Sequence, residues 1–113
     1  MKLITAVLRP YKLLDVMDVV EELKIERVTV TEITTADSVG AYIESYRGAE
    51  YLVDLARQVR VEMIVEEDRV QEVMHAVAAA ARTGEVGDGR IWVTAIEHLM
   101  QIRTGDTAPG ELE

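Results

Sequence analysis

The sequence predicts a single α+β domain of element order βαββαβ. Two β-rich runs each lead into an amphipathic helical run, and each helix is followed by another β-rich run. The two halves therefore repeat one pattern. At 113 residues, 49% of them hydrophobic, the chain fits one domain with a buried core. That core must be aliphatic, because there is no Phe, one Trp and four Tyr.

Residues 2–9 alternate weakly, are rich in β-formers and stop at Pro10, which predicts the first strand. Leu13, Val16, Met17, Val20 and Leu23 or Ile25 then recur at helical spacing, with Asp15, Asp18, Glu21 and Glu22 between them. This predicts a helix over about 11–23. Residues 28–35 are almost all β-branched, polar Glu32 excepted, and predict the second strand. Residues 36–54 hold no period of 2 or 3.6 and carry two glycines and three of the four tyrosines. A loop of this length in a compact domain points to function, and part of it can extend its flanking strands as a ribbon.

Val59, Val61, Met63 and Val65 alternate with Arg60, Glu62 and Ile64, giving the third strand. Glu66, Glu67 and Asp68 put negative charge at the start of the second helix, where the helix dipole favours it. Val70, Val73, Met74, Val77 and Ala81 mark that helix's apolar face, and Gly84 is expected to end it. Residues 91–98 form the fourth strand, and the polar tail is expected to fray after about residue 106.

This order is the ferredoxin-like split βαβ arrangement, an antiparallel four-stranded sheet with two helices on one face. The other face must be solvated or covered. The strands are apolar on both faces, with Ile64, Trp92 and Ile96 on one and Val61, Met63 and Val93 on the other. Oligomerisation through the open face is therefore expected.

Composition excludes several function classes. There is no cysteine, hence no thiol or disulfide chemistry. No apolar run reaches the roughly 18 residues of a membrane helix, and the N-terminus lacks the features of a signal peptide. A cytoplasmic protein with no membrane insertion is expected. A net charge of −9 argues against nucleic-acid binding. His75 and His98 are far apart and read as structural or solvated, so no metal site is expected. Glu62, a carboxylate within a strand, is either a cross-strand ion-pair partner or a ligand contact.

Residues 82–93, Arg-Thr-Gly-Glu-Val-Gly-Asp-Gly-Arg-Ile-Trp-Val, carry three glycines within six positions. Two readings fit. One is a helix cap followed by a hairpin turn. The other is a nest of backbone N–H groups for phosphate, with Arg90 at its end. Arg103-Thr-Gly-Asp is a second Arg/Gly group, and neither is a Walker motif.

Taken together, these stretches resemble the PII family of nitrogen-regulatory signal transducers over nearly the whole chain. Tyr46-Arg-Gly-Ala-Glu-Tyr51 with Val53-Asp54 looks like one family signature. Thr83-x-x-x-Gly87-Asp-Gly-Arg-Ile-Trp-Val93 looks like the second. Arg9-Pro10 with Lys12-Leu13, Val28-Thr-Val-Thr-Glu32 and Ile102-Arg-Thr-Gly105 also match, without insertion or deletion. The resemblance implies a homotrimer with inward-facing sheets and adenine-nucleotide sites in the clefts between subunits. It also implies a T-loop at about 37–55, a nucleotide-binding B-loop at about 82–90 and a C-terminal loop and tail at about 99–113. Such proteins are not enzymes. They regulate transporters, metabolic enzymes or transcription regulators by binding them.

By this resemblance, Val7, Thr29, Thr35, Glu62 and Ile64 would surround adenine and ribose, and Gly87, Asp88, Gly89, Arg90 and Arg103 would hold phosphates. Tyr51 matches the position uridylylated in some members; a role as an aromatic anchor at the loop base stays open beside it.

The chain departs from the family pattern at one end of that site. Ser38 replaces a phosphate-binding Arg. Val39 replaces the Gln that ligates Mg²⁺ and holds 2-oxoglutarate, and a valine cannot coordinate a cation. Gln58 replaces the Lys that pairs with 2-oxoglutarate, Gln101 replaces a second Arg, and Glu85 replaces a loop-proximal Lys. Asp37 adds negative charge near the γ-phosphate position, at about 1 kcal/mol or more. These changes predict that ADP or AMP competes well with ATP, that Mg²⁺ is not required, and that the 2-oxoglutarate response is weak or lost. From residue 36 to 54 only Arg47 is positive, against Asp37, Glu44, Glu50 and Asp54, which suits a more basic partner surface. A divergent regulator of bicarbonate uptake or metal efflux is the alternative. A small ferredoxin-like oligomeric enzyme is a weaker one, because no catalytic set stands out.

Overall fold

The computed structural model describes residues 1–37 and 54–107. Four strands, β1 (Lys2–Leu8), β2 (Val28–Asp37), β3 (Asp54–Val65) and β4 (Arg90–Ala95), form one sheet of order β2-β3-β1-β4. All three neighbouring pairs are antiparallel. Helix α1 (Leu13–Glu22) and helix α2 (Val70–Ala81) pack against one another and over β1 on one face. This is the ferredoxin-like arrangement the periodicity predicts.

The register separates the two faces. Ile4 lies opposite Met63 and Val93, and Ala6 opposite Val61 and Ile91, so these residues share the helix-covered face. Val16 and Val20 of α1 and Val73, Val77 and Ala81 of α2 are spaced one turn apart and are buried against them. The resulting core is aliphatic throughout among the described residues.

α1 begins at Leu13 rather than about residue 11, and α2 begins at Val70, the first residue of its apolar face. A short 3₁₀ turn precedes each one, Pro10–Lys12 before α1 and Glu67–Arg69 before α2. Pro10 fits the first position of its turn because it lacks an N–H to satisfy. Glu67 and Asp68 stand in the first turn of the second segment, as the charge pattern predicts.

α1 ends in a Schellman motif. The Ile25 N–H donates to the Val20 carbonyl at 3.2 Å, and the Lys24 N–H to the Glu21 carbonyl at 3.0 Å. Lys24 carries the left-handed conformation, φ +56°, that this motif requires. A β-carbon there costs about 1 kcal/mol. Lys24→Gly is therefore expected to stabilise the fold by about 1 kcal/mol, seen as a rise of roughly 4 °C in thermal unfolding by circular dichroism. An unchanged or lower midpoint would contradict that account.

The β2–β3 ladder is longer than the sequence pattern predicts. It pairs ten residues from Val28–Met63 out to Asp37–Asp54, so β3 starts five residues before Val59 and β2 runs two past Thr35. The outer part lies beyond the helices, and Ala36, Leu55, Ala56 and Arg57 are exposed. With neither face buried there, no alternation is selected, and the ribbon leaves no period to read. Most of the expected T-loop, Tyr51 included, lies outside the described residues, as does the tail beyond 107. β4 is shorter than expected, ending at Ala95 rather than 98. β1 has no residue left to pair beyond Lys2, and one further contact, Ile96 N–H to the Met1 carbonyl at 3.3 Å, closes the edge.

A carboxylate-clamped glycine loop at the end of the sheet

α2 stops at Ala81, three residues before Gly84, and Arg82 is already extended with ψ 134°. Gly84 is therefore not the helix cap. It belongs to a loop with its own hydrogen bonds, centred on Asp88. One carboxylate oxygen accepts the Thr83 N–H at 2.8 Å and the Gly84 N–H at 2.9 Å. The other accepts the Thr83 hydroxyl and the Arg9 Nε–H, the latter at 3.0 Å. Arg9 also donates from Nη2 to the Val86 carbonyl at 2.8 Å. The end of β1 is thereby tied to the loop across 79 residues of sequence.

These donors favour the charged carboxylate, and the Thr83 hydroxyl, then the Thr83 N–H, then Arg9 and Gly84, hold Asp88 well below its ordinary 3.8. Arg9 is raised in turn, chiefly by its bond to Asp88. The sign follows from the depressed acid. The clasp is fully present above about pH 4, the ordinary value of an unfolded Asp, and weakens only as the pH falls toward the lower folded value. Asp88→Asn leaves one acceptor oxygen for four donors. Amide exchange at Thr83 and Gly84 is expected to rise at neutral pH while the unfolding midpoint moves little; protection equal to the parent would remove the clasp's assigned role.

Gly87 and Gly89 have φ +104° and +101°, a region other residues rarely adopt. Gly89 is also pressed on β1, since a β-carbon there would lie 1.7 Å from the Val7 carbonyl oxygen. At Gly87 it would come within 3.1 Å of the Arg9 guanidinium. Thus Gly89 lies against β1, Gly87 against Arg9 just past its end, and Arg90 follows as the first residue of β4.

The open face arranges the remaining expected residues in rows. Thr31, Arg60, Val7 and Arg90 make one row; Thr29, Glu62, Thr5 and Trp92 the next; Ile64, Leu3 and Thr94 a third. Thr35 lies two rows the other way along the ribbon, where its hydroxyl donates to Gln58 Oε1. Val7, Gly87, Asp88, Gly89 and Arg90 are therefore brought together. Thr29 is three strands from Arg90, a lateral distance of roughly 14 Å. Glu62 and Ile64 follow on β3, and Arg103 lies in a separate turn closed by Gly105 N–H to the Gln101 carbonyl at 2.8 Å. The expected set spans the whole width of one sheet.

Glu62 pairs within its own strand rather than across strands as the sequence suggests, because its cross-strand neighbours are Thr5 and Thr29. Arg60 Nε lies 3.4 Å from Glu62 on the same face. Three contributors were not assigned a role from the sequence: Arg9, Thr83 and Arg60. The period-2 spacing of Arg60 and Glu62 could have indicated their pairing. Thr83 and Asp88, five apart around two glycines, are compatible with a folded-back carboxylate. Arg9 carries no local signal, because its partner is distant in sequence. Among the described residues no cluster of His, Asp and Glu could hold a metal ion, and no helix is long and apolar enough to cross a membrane.

The fold and loop define the class: a ferredoxin-like βαββαβ protein with a clamped glycine loop at the end of its sheet. The family follows from comparison with known proteins. The model of the family described as nitrogen regulatory protein P-II matches residues 1–106. The chain is 41% identical over 106 residues to the nitrogen regulatory protein P-II of Azospirillum brasilense, covering 94% of this chain and 95% of that one. It is 39% identical over 107 residues to that of Rhizobium meliloti, covering 95% and 96%. It is 38% identical over 106 residues to the nitrogen regulatory protein GlnK of Escherichia coli K12, covering 94% and 95%. The chain belongs to the P-II family of nitrogen regulatory signal transducers.

Proposed function

We propose that this protein is a cytoplasmic P-II-type sensor. It assembles as a homotrimer, binds ADP, AMP or ATP in clefts between subunits, and regulates a transporter or metabolic enzyme through its T-loop. The observation that carries this reading is the spread of Val7, Thr29, Glu62, Ile64 and Arg90 across four strands of one half-apolar face. A nucleotide spans only part of that width, so a complete pocket needs a second chain laid against the face. Trp92, 42% exposed on the same face, supplies apolar area for such packing.

The phosphate end would rest on the Gly87–Arg90 loop, which the Asp88 clasp holds ready. Gly87 and Gly89 allow close approach of a ligand, and Arg90 supplies charge. Arg103 would add a second cation. At the ribbon base, Gln58 offers Thr35 a neutral amide where a lysine would offer charge, which favours ligands with fewer phosphates and weakens 2-oxoglutarate capture.

Isothermal titration of the purified protein tests this. ADP is expected to bind in the micromolar range, with ATP not much tighter and Mg²⁺ of little effect. 2-Oxoglutarate should show no micromolar binding in the presence of MgATP. Micromolar 2-oxoglutarate binding would overturn the rewritten half of the site, and absence of all nucleotide binding would overturn the sensor.

A further inference from the structure

A second cavity lies on the opposite side of the sheet from the open face. It is a cleft of about 430 Å³ between α2 and the ends of β1 and β4. That volume is within the range of small-molecule sites. On the helix side, Gln71, His75 and Ala78 follow one another at steps of four and three residues, so they form a single stripe, and Arg82 follows just past the helix end. Met74 and Ala81 lie beside it. On the sheet side are Leu8 and Ile91, and the floor is the inner side of Asp88 and Gly89.

The chemistry of this lining is asymmetric. The wall between Met74, Ala78 and Ile91 is apolar, and Met74 and Ile91 are half-buried among the described residues. Ala78 is the reason for the gap: a larger side chain there would fill it. Two arginines, Arg82 and Arg90, are also on the lining. Among the described residues the one carboxylate on the lining, Asp88, is already matched by Arg9 and the Thr83 donors. An apolar trough lined by a cation, Arg82, that has no ion pair among the described residues matches an elongated apolar molecule bearing one negative charge.

We propose that this cleft binds a medium-chain aliphatic carboxylate, its alkyl chain along Met74, Ala78 and Ile91 and its carboxylate at Arg82. The site differs from the proposed nucleotide cleft in its helix-side wall, but Val7, Asp88, Gly89 and Arg90 line both. Its occupancy would therefore bear on the loop from behind. The binding claim itself is independent of the nucleotide reading.

The test is a heteronuclear NMR titration of the full chain with decanoate below its micellar concentration, in parallel with decanol and with acetate. Saturable shifts are expected at Ala78, Arg82, Gly89 and Ile91, with decanol and acetate each binding at least tenfold more weakly. Ala78→Trp, at an exposed position, should abolish decanoate binding and leave thermal unfolding unchanged. Arg82→Gln should weaken decanoate roughly tenfold and leave decanol unaffected. Shifts centred on Trp92 and the open face, or binding unchanged in Ala78→Trp, would overturn the assignment. So would a cleft protected from decanoate by a second copy of the chain. ADP titration of Ala78→Trp separates the two readings, because retained ADP binding with lost decanoate binding supports the cleft as a distinct site.

Discussion

Gly89→Ala is expected to be the most damaging single substitution in the loop. A β-carbon at that position would stand 1.7 Å from the Val7 carbonyl oxygen, 2.8 Å from its carbon and 3.3 Å from Leu8 Cα. None of these atoms can retreat. Val7 is paired on both sides, to Arg60 of β3 and Arg90 of β4, so moving it would break two ladders. The loop must lift off β1 instead. Forced overpacking costs about 1–3 kcal/mol, and a non-glycine residue at φ +101° adds about 1 kcal/mol. Together these predict a loss of about 3 kcal/mol and a midpoint lowered by roughly 10 °C. Nucleotide affinity in titration should fall with it, because Gly87 and Arg90 flank the displaced residue. Gly84→Ala is the internal control. Its φ is +89° but nothing lies within 4 Å of the added carbon, so only the conformational part, about 1 kcal/mol, applies. Equal effects at 84 and 89 would show that contact with Val7 is not what fixes the loop.

The second large effect is expected in the core. Ile4 is fully buried on the central strand β1, sharing its face with Met63 and Val93 in a cluster closed by Val73 and Val77. The surrounding residues belong to regular elements that relax little, so Ile4→Ala leaves a cavity. A loss of about 3–4 kcal/mol is expected from removed transfer free energy and the void. Urea unfolding should show the midpoint fall with the slope unchanged. Leu14, a large aliphatic residue of α1 that is 77% exposed, provides the comparison, and Leu14→Ala is expected to change stability by less than about 0.5 kcal/mol. A similar effect at both positions would mean that the core is not where the register places it.

Much of the fold could be read directly from residue order. Val16 and Val20, Val73 and Val77, and Val59 to Val65 declare their periods because one side of each element is buried and the other is wet. Where that contrast disappears, so does the signal. The outer ribbon of β2 and β3 is exposed on both faces, and the ten-residue ladder that continues through Ala36 and Leu55 has no alternation to announce it. Gly84 misled for a related reason. A glycine after an alanine-rich helix resembles a cap, but whether it caps depends on where the nearby N–H groups find acceptors. Here Asp88 supplies one, and the helix ends three residues earlier.

By itself, the sequence determined the element order, the aliphatic core, the two-faced apolar character of the strands and membership in the P-II family. Each of these is a local pattern, or a sum of local patterns, written in consecutive residues. Only the tertiary structure decided that Arg9 clasps Asp88, that Gly89 rests on the Val7 carbonyl, that Arg60 pairs with Glu62 beside Val7, and that a cleft opens behind the glycine loop. These depend on distances between residues up to about eighty positions apart, which are set by strand register and helix packing. The glycine loop is encoded in residues 82–90, but its shape is held by an arginine from the other end of the chain.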